Sequence, residues 1–306
     1  MELSIQNITK SFGSKEVLRD ISLTASSGSA FGLLGRNGAG KTTTIRILMN
    51  VFGPDSGQIL LDGTPMDYQS IQIGYLPEER GLYPKKKILE QLTYLARLKG
   101  MDKRSAVASI DHWLDRLGMS EYRAKRLDTL SKGNQQKIQL ITALVHDPAI
   151  LVLDEPFSGL DPVNAQLLKD VVVEEMHRGK VVLFSSHQMN YIEEFCDQIA
   201  ILRQGTIALS GRLTDIKRAY PRKTLVVRSP QQGEIVARFP QVAHLTEQGD
   251  LHIQMDQASE KQAWMETLIQ QFDVDEVKVF EPSLSDIFVE YAGDDNEPMP
   301  GKEDAK

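Results

Sequence analysis

The chain lacks most of what would tie it to an oxidising compartment, a membrane interior or nucleic acid. Its 306 residues include one cysteine, Cys196. A single thiol forms no intramolecular disulfide and suits a reducing compartment, and its apolar neighbours assign it to packing. No apolar run approaches the ~20 residues of a membrane-spanning helix. The opening Met1-Glu2-Leu3-Ser4-Ile5 has no basic stretch followed by an apolar core, so no secretory signal is expected. Strong positive charge is missing too: the formal net charge is −7. Residues 219–306 carry 8 Lys+Arg against 17 Asp+Glu, and the preceding residues 27 against 25. Without a strongly basic face, nucleic acid is not expected as the main partner. There is no internal repeat. The length gives room for one large domain and a second, smaller one.

What is present is organised around Gly35-Arg36-Asn37-Gly38-Ala39-Gly40-Lys41-Thr42-Thr43. An apolar run, Ala30–Leu34, precedes it and a helical pattern from Thr44 to Met49 follows. That strand–loop–helix context is what a phosphate-binding loop requires. Glycines let the backbone curl so that successive N–H groups, those of Ala39 included, point into one concavity. The helix beginning near Lys41 aims its positive dipole end there. Lys41 is positioned to meet β- and γ-phosphates, and the Thr42 hydroxyl to ligate Mg²⁺. A nucleotide site is expected.

Along the chain, Leu3, Ile5 and Ile8, then Val17 to Leu23, alternate with polar residues and predict antiparallel strands. Gln58–Leu61 and Ile71–Leu76 are predicted strands, the second closed by Pro77. From about Ile88 the period changes: Leu89, Leu92, Leu95 and Leu98, then Val107, Ile110, Leu114 and Leu117, recur at helical spacing. An inserted helical subdomain is expected at about 85–147, ending in a helix that Leu130–Gln136 opens. Strands at Ile150–Leu153, Val181–Phe184 and Gln198–Leu202 then alternate with helices from Pro162 to about His177 and near Met189–Phe195. Such alternation indicates a parallel sheet covered on both faces.

After Tyr220-Pro221 the character shifts. Strands at Thr224–Val227, Leu251–Gln254 and Val277–Phe280, a helix at Ser259–Gln271 and a final helix from Ser283 predict a small α+β domain. Ser283 and Asp286 are spaced as a capping box. The reading divides the chain into an ATP-binding domain (1–218), a C-terminal domain (219–292) and an acidic, disordered tail (293–306). The fold class is α/β: a P-loop NTPase core with an antiparallel β subdomain and an inserted helical one.

Ile150-Leu151-Val152-Leu153-Asp154-Glu155 is the second strong signal. A buried strand ending in a carboxylate brings Asp154 beside Mg²⁺ held by Thr42. Glu155, one residue on, stands where it can orient or deprotonate an attacking water.

The loop around Lys41, the segment Leu130–Gln136, the run Leu151–Asp161 and His187 together resemble the ATP-binding subunit of an ABC transporter, over roughly Leu3 to Lys217. The C-terminal domain, with Glu281-Pro282-Ser283-Leu284-Ser285-Asp286-Ile287-Phe288, resembles the extension of bacterial export-type subunits. The resemblance implies ATP and Mg²⁺ as ligands and two chains sandwiching two ATP molecules. Leu130–Gln136 matches the signature motif, so Ser131 and Gly133 are expected to meet the γ-phosphate held by the opposite subunit. Lys132 and Asn134 replace a glycine and a glutamine there. Ser158-Gly159-Leu160-Asp161 matches the dimer-interface loop, His187 the histidine near the γ-phosphate, and Phe12 the aromatic that stacks on adenine. Ser131 and Asp161 also fit as helix N-caps in their own right.

One departure stands out. Where the family carries a glutamine after the strand matching Ile71–Leu76, this chain has Pro77-Glu78-Glu79-Arg80. An ionised glutamate accepts hydrogen bonds but donates none. Glu78 is expected to keep a metal-facing role, with Arg80 or Lys85-Lys86-Lys87 offsetting its charge. The implied partners are an integral membrane permease and a second ATP-binding subunit, identical or sibling, driving export. The implied place is the inner face of the membrane, held peripherally from the cytoplasm. The alternatives are a soluble ATPase of the same superfamily acting on nucleic acid or ribosomes, a P-loop kinase, and a regulatory module whose C-terminal domain senses a ligand.

Overall fold

The computed structural model describes residues 1–79, 81–220, 223–246 and 249–292; Arg80 and the expected acidic tail lie outside them. The chain groups into two units, Met1–Leu213 with Ile287 onward, and Thr214–Asp286. In chain order the first holds β1 (Glu2–Phe12), β2 (Lys15–Ser26), β3 (Ala30–Gly35), α1 (Lys41–Leu48), β4 (Ser56–Leu61), β5 (Thr64–Pro65) and β6 (Ile73–Leu76). The helices α2 (Ile88–Leu98), α3 (Lys103–Arg116) and α4 (Lys132–Leu144) follow. Then come β7 (Ile150–Asp154), α5 (Pro162–His177), β8 (Val181–Ser185), α6 (Met189–Phe195), β9 (Cys196–Arg203) and β10 (Thr206–Arg212).

Two sheets build this unit. The antiparallel one runs β2-β1-β4-β5, and the larger one β10-β9-β3-β8-β7-β6. In the larger sheet β9, β3, β8, β7 and β6 are parallel, and β10 is an antiparallel edge. The central strands β3, β7 and β8 are buried at every residue, which is why they read as unbroken apolar runs. Leu3, Ile5, Ile8, Ile21, Leu33, Ile45, Val152 and Leu183 share one core that joins the two sheets. α2 and α3 bury Ile88, Leu92 and Ala96, and Ile110, Trp113 and Leu114; of the residues the spacing picked out, Leu92, Ile110, Leu114 and Leu117 are buried, whereas Leu98, at the end of α2, is exposed. No helix among the described residues is long and apolar enough to cross a membrane.

Two differences from the sequence reading have simple causes. The expected strand Ile71–Leu76 begins at Ile73, because the Ile71 N–H closes a turn onto the Asp67 carbonyl. β10 was not foreseen: as an edge strand it is only half-buried, so its apolar alternation is weak. The turn before it, Gln204-Gly205, has φ of 48° and 78°, the hairpin geometry that an Xaa-Gly pair favours.

The helix α7 (Leu213–Ala219) spans the division at Leu213 and Thr214, and the second unit closes at Asp286, short of the expected 292. The second unit contains β11 (Thr224–Arg228), α8 (Gln232–Arg238), β12 (Ala243–Leu245), β13 (Leu251–Gln254), α9 (Lys261–Gln271) and β14 (Glu276–Val279). Its antiparallel sheet runs β12-β13-β11-β14 around Leu225, Val227, Leu251, Ile253 and Leu268. α8 and β12 are short and were not foreseen. The last helix, α10 (Leu284–Ala292), opens on a reciprocal cap. The Asp286 N–H donates to Ser283 Oγ at 3.2 Å and the Ser283 N–H to Asp286 Oδ2 at 2.8 Å.

Candidate functional site

Parallel strands end on one edge, and that fact assembles the site. Register pairs Leu33 of β3 with Ser185 of β8, Asp154 of β7 with Ser185, and Leu76 of β6 with Leu153 of β7. The segments leaving these strands therefore emerge side by side: Gly35–Lys41, Glu155, Ser186-His187 and Pro77-Glu78. Ligands of open α/β sheets bind at this carboxyl edge.

The Gly35–Lys41 loop is held in a conformation only glycine tolerates well. Gly38 has φ of 83°. Gly40 has φ of 115° and is the N-cap of α1; a Cβ there would meet Leu18 Cδ2 at 2.6 Å. The Ala39 N–H turns inward to the Arg36 carbonyl at 3.1 Å, while Asn37 is exposed. The first-turn N–H groups of Lys41, Thr42 and Thr43 have no acceptor within the helix. Thr42 is exposed, whereas Thr44 is buried and turns its hydroxyl back to the Gly40 carbonyl at 3.0 Å. Lys41 Nζ donates to the Gly35 carbonyl at 2.6 Å and that of Arg36 at 3.3 Å, so the ammonium folds over its own loop. Burial lowers the Lys41 pKa, opposed by Glu155, Asp154 and Glu78.

Opposite the lysine stand the carboxylates. Asp154 is buried, and burial raises its pKa, with Ser185 pulling the other way and Glu78 and Glu155 adding to the rise. The Tyr75 hydroxyl is pushed up to about 12, first by burial and then by the charge of Asp154. Glu155 has φ of 49°, a left-handed backbone that costs a non-glycine residue about 1 kcal/mol or more. The surroundings enforce it. The Glu155 N–H donates to the Ser185 carbonyl at 2.8 Å, and Glu155 Oε2 accepts from Ser186 Oγ at 2.9 Å. Glu155 Oε1 accepts the His187 N–H at 2.7 Å and faces His187 Nδ1 at the same distance. The His187 ring remains 68% exposed.

The structure thus brings together Lys41, Thr42, Asp154, Glu155 and His187, with Glu78 exposed but close enough for its charge to reach Lys41 and Asp154. Of the basic run expected to offset Glu78, Lys87 faces Glu90 at 4.0 Å instead. Hard oxygen donors, one hydroxyl and one or two carboxylates, suit Mg²⁺ completed by phosphate and water. Among the described residues no three His, Cys, Asp or Glu side chains group as a metal cage.

Ser131, Gly133 and Asp161 form a second group. Ser131 Oγ caps α4, accepting the Asn134 N–H at 3.3 Å. Asp161 caps α5, accepting the Asn164 N–H at 3.0 Å, with Pro162 at the first turn. A Cβ on Gly133 would meet Leu160, Asn164 and Gly159 no closer than 3.6 Å. Packing within the chain therefore does not demand glycine at this helix start. Phe12 is 50% exposed and meets the edge of Phe52 at 5.4 Å. Asp55 braces that strand end, accepting from Lys10 Nζ at 2.7 Å and the Ser11 N–H at 2.6 Å.

Sequence reasoning missed Ser186, Tyr75, Phe52 and Gln139. Gln139 carried a signal: it is a polar residue on the inward face of α4, three positions after Gln136, among apolar Ile138, Leu140 and Ile141.

A match to the family described as ABC transporter spans residues 18–158, and one to the ATP-binding protein DrrA1-3-like, C-terminal domain, spans 211–292. Over 298 residues the chain is 43% identical to YhaQ of Bacillus subtilis, an uncharacterized ABC transporter ATP-binding protein, covering 95% of this chain and 98% of that one. It is 33% identical over 218 residues to LnrL, the linearmycin resistance ATP-binding protein of Bacillus subtilis, covering 70% of each. A solved ATP-binding subunit of an ABC transporter superposes with a TM-score of 0.65 at 28% identity, covering 71% of this chain and 92% of that one. With that likeness added to a phosphate loop, paired strand-end carboxylates and a capped signature helix, the chain belongs to the family of ABC transporter ATP-binding proteins and is an ATPase.

Proposed function

We propose that this ATPase powers export through a separate membrane permease, by closing and reopening a dimer around two ATP molecules. Residues 1–218 act as the ATP-binding domain, with 85–147 its helical subdomain, and 219–292 as an accessory domain. The chain works from the cytoplasm, held peripherally on the inner face of the membrane by its permease. Export is favoured over import by the DrrA1-3-like C-terminal domain and by LnrL, a relative named for resistance.

In this reading the backbone N–H groups of the Gly35–Thr43 loop, apart from that of Ala39, which is bonded to the Arg36 carbonyl, and the dipole of α1 receive the phosphates. Lys41 trades the carbonyls of Gly35 and Arg36 for β- and γ-phosphate oxygens. Phe12 stacks on the adenine. Thr42, Asp154 and Glu78 would hold Mg²⁺, which when bound would neutralise charge developing on the phosphates. Glu155 orients the attacking water and takes its proton, a role worth about 10²–10⁴ in rate. His187, on Glu155 Oε1, keeps that carboxylate aimed and reaches toward the γ-phosphate. Ser131 and Gly133 of a second copy, identical or sibling, complete the site, and Asp161 lines the seam between copies.

The observation that carries the reading is that the phosphate loop, Gly35–Thr43, and the Ser131–Gly133 turn each occur once in the chain. A chain holding each motif once then needs a mate to finish its site. The test is to express the chain with the multi-span membrane protein encoded beside it and purify from detergent-solubilised membranes. Co-purification, with ATP turnover stimulated in vesicles, is expected. Isolation with RNA or ribosomes and no membrane partner would overturn it.

A further inference from the structure

The segment after β6 leaves the sheet at Pro77, which has no N–H to give to a ladder. Its carbonyls need donors from elsewhere. One side chain supplies two of them: Gln139 Nε2 donates to the Pro77 carbonyl and to the Glu79 carbonyl, both at 3.0 Å. Gln139 is 3% exposed, and a buried carboxamide without partners would be destabilising. The two acceptors bracket one residue, Glu78. Both hydrogens of the amide are spent on the peptide groups flanking it, while the Glu78 side chain stays exposed.

Gln139 sits on α4, the helix capped by Ser131. Eight residues separate them, about 12 Å at 1.5 Å per residue. The later turns of α4 lie hard on β6, since a Cβ on Gly74 would strike the Ala143 carbonyl. One stiff rod therefore carries the signature serine at its start and the anchor of the Glu78 segment at its middle.

We propose that Gln139 is the positioning residue for Glu78. It sets where that carboxylate stands relative to Asp154 and Lys41, and makes its position follow that of the signature helix. The inference rests on the reading of Glu78 as a metal-facing group. Glutamate cannot donate to a neighbour as glutamine does, so the backbone around it is held by a donor from α4 instead.

The experiment uses the full chain with a non-hydrolysable ATP analogue and Mn²⁺ as probe, followed by electron paramagnetic resonance. Gln139→Leu, Gln139→Met, Glu78→Ala and the double variant Gln139→Leu/Glu78→Ala are compared, with thermal melts to establish folding. Mn²⁺ affinity is expected to fall about tenfold in either Gln139 variant, with metal-free analogue affinity unchanged within about twofold. The double variant is expected to be no weaker than Glu78→Ala alone. Hydrogen exchange over residues 77–83 is expected to quicken in the Gln139 variants but not in Glu78→Ala. Unchanged Mn²⁺ affinity in folded Gln139→Leu and Gln139→Met, or losses that add in the double variant, would overturn the inference alone. A Glu78→Ala chain with undiminished Mn²⁺ affinity would remove the underlying reading of Glu78 and this inference with it.

Discussion

His187 grips Glu155 twice: its main-chain N–H and its ring Nδ1 both lie 2.7 Å from Glu155 Oε1. The ring itself is mostly exposed, so the contact is poised at the surface, where a nucleotide can compete for the imidazole. Removing the ring leaves Glu155 held by the main-chain N–H and by Ser186. We expect His187→Ala to cut ATP turnover about a hundredfold while leaving ATP binding intact. Steady-state turnover beside calorimetric titration of nucleotide separates the two effects.

Phe12 offers an exposed ring, fixed edge-on by Phe52. Phe12→Ala should lose about 1 kcal/mol or more of ATP affinity, and Phe12→Trp should keep it. Phe52→Ala should lose less, because the platform loosens but remains. Fluorescent-nucleotide titrations of the variants check the order.

A side chain at Gly133 would make only ordinary contacts with Leu160, Asn164 and Gly159 of its own chain. Gly133→Asp puts a carboxylate at the start of α4, where the helix dipole tolerates it. The melting temperature and single-chain ATP binding should hold, while turnover disappears because the mate's γ-phosphate meets a negative charge. Loss of ATP binding in this variant would contradict the assignment of Gly133 to the opposite site.

His146 makes stability depend on pH. It is buried, with Nε2 bonded to the Ile73 carbonyl at 3.2 Å, and burial lowers its pKa from 6.5 to about 4. Between those values the unfolded chain takes up a proton that the folded chain refuses, so stability falls as pH drops from about 6.5 to 4 and levels off below. The full effect is about 3 kcal/mol. Denaturant melts from pH 7 to 4 should show this slope, and His146→Gln should flatten it.

The cluster of Lys41, Asp154 and Glu155 was legible because the chemistry proposed for it needs residue types at fixed spacing. The glycine loop before Lys41 and the apolar strand ending in Asp154-Glu155 announce themselves locally. Strand ends were equally readable wherever a strand is buried on both faces, as β7 and β8 are. What escaped depends on distant partners. The left-handed backbone of Glu155, the Ser186 clamp and the nearness of Tyr75 to the Asp154 charge arise only when neighbouring strands are in register. Gln139 reads as one polar residue in a helix until β6 is packed against it. β10 was lost for the opposite reason: a half-exposed edge strand has little pattern to show.

The central claim is that two chains share each ATP, and one measurement addresses it directly. Glu155→Gln keeps the shape of the side chain but removes the base, so ATP should bind and not be consumed. Light scattering coupled to gel filtration of this variant should give the mass of a monomer without nucleotide and of a dimer with ATP and Mg²⁺, returning to monomer with ADP. A Glu155→Gln chain that binds ATP and stays monomeric would contradict the shared site.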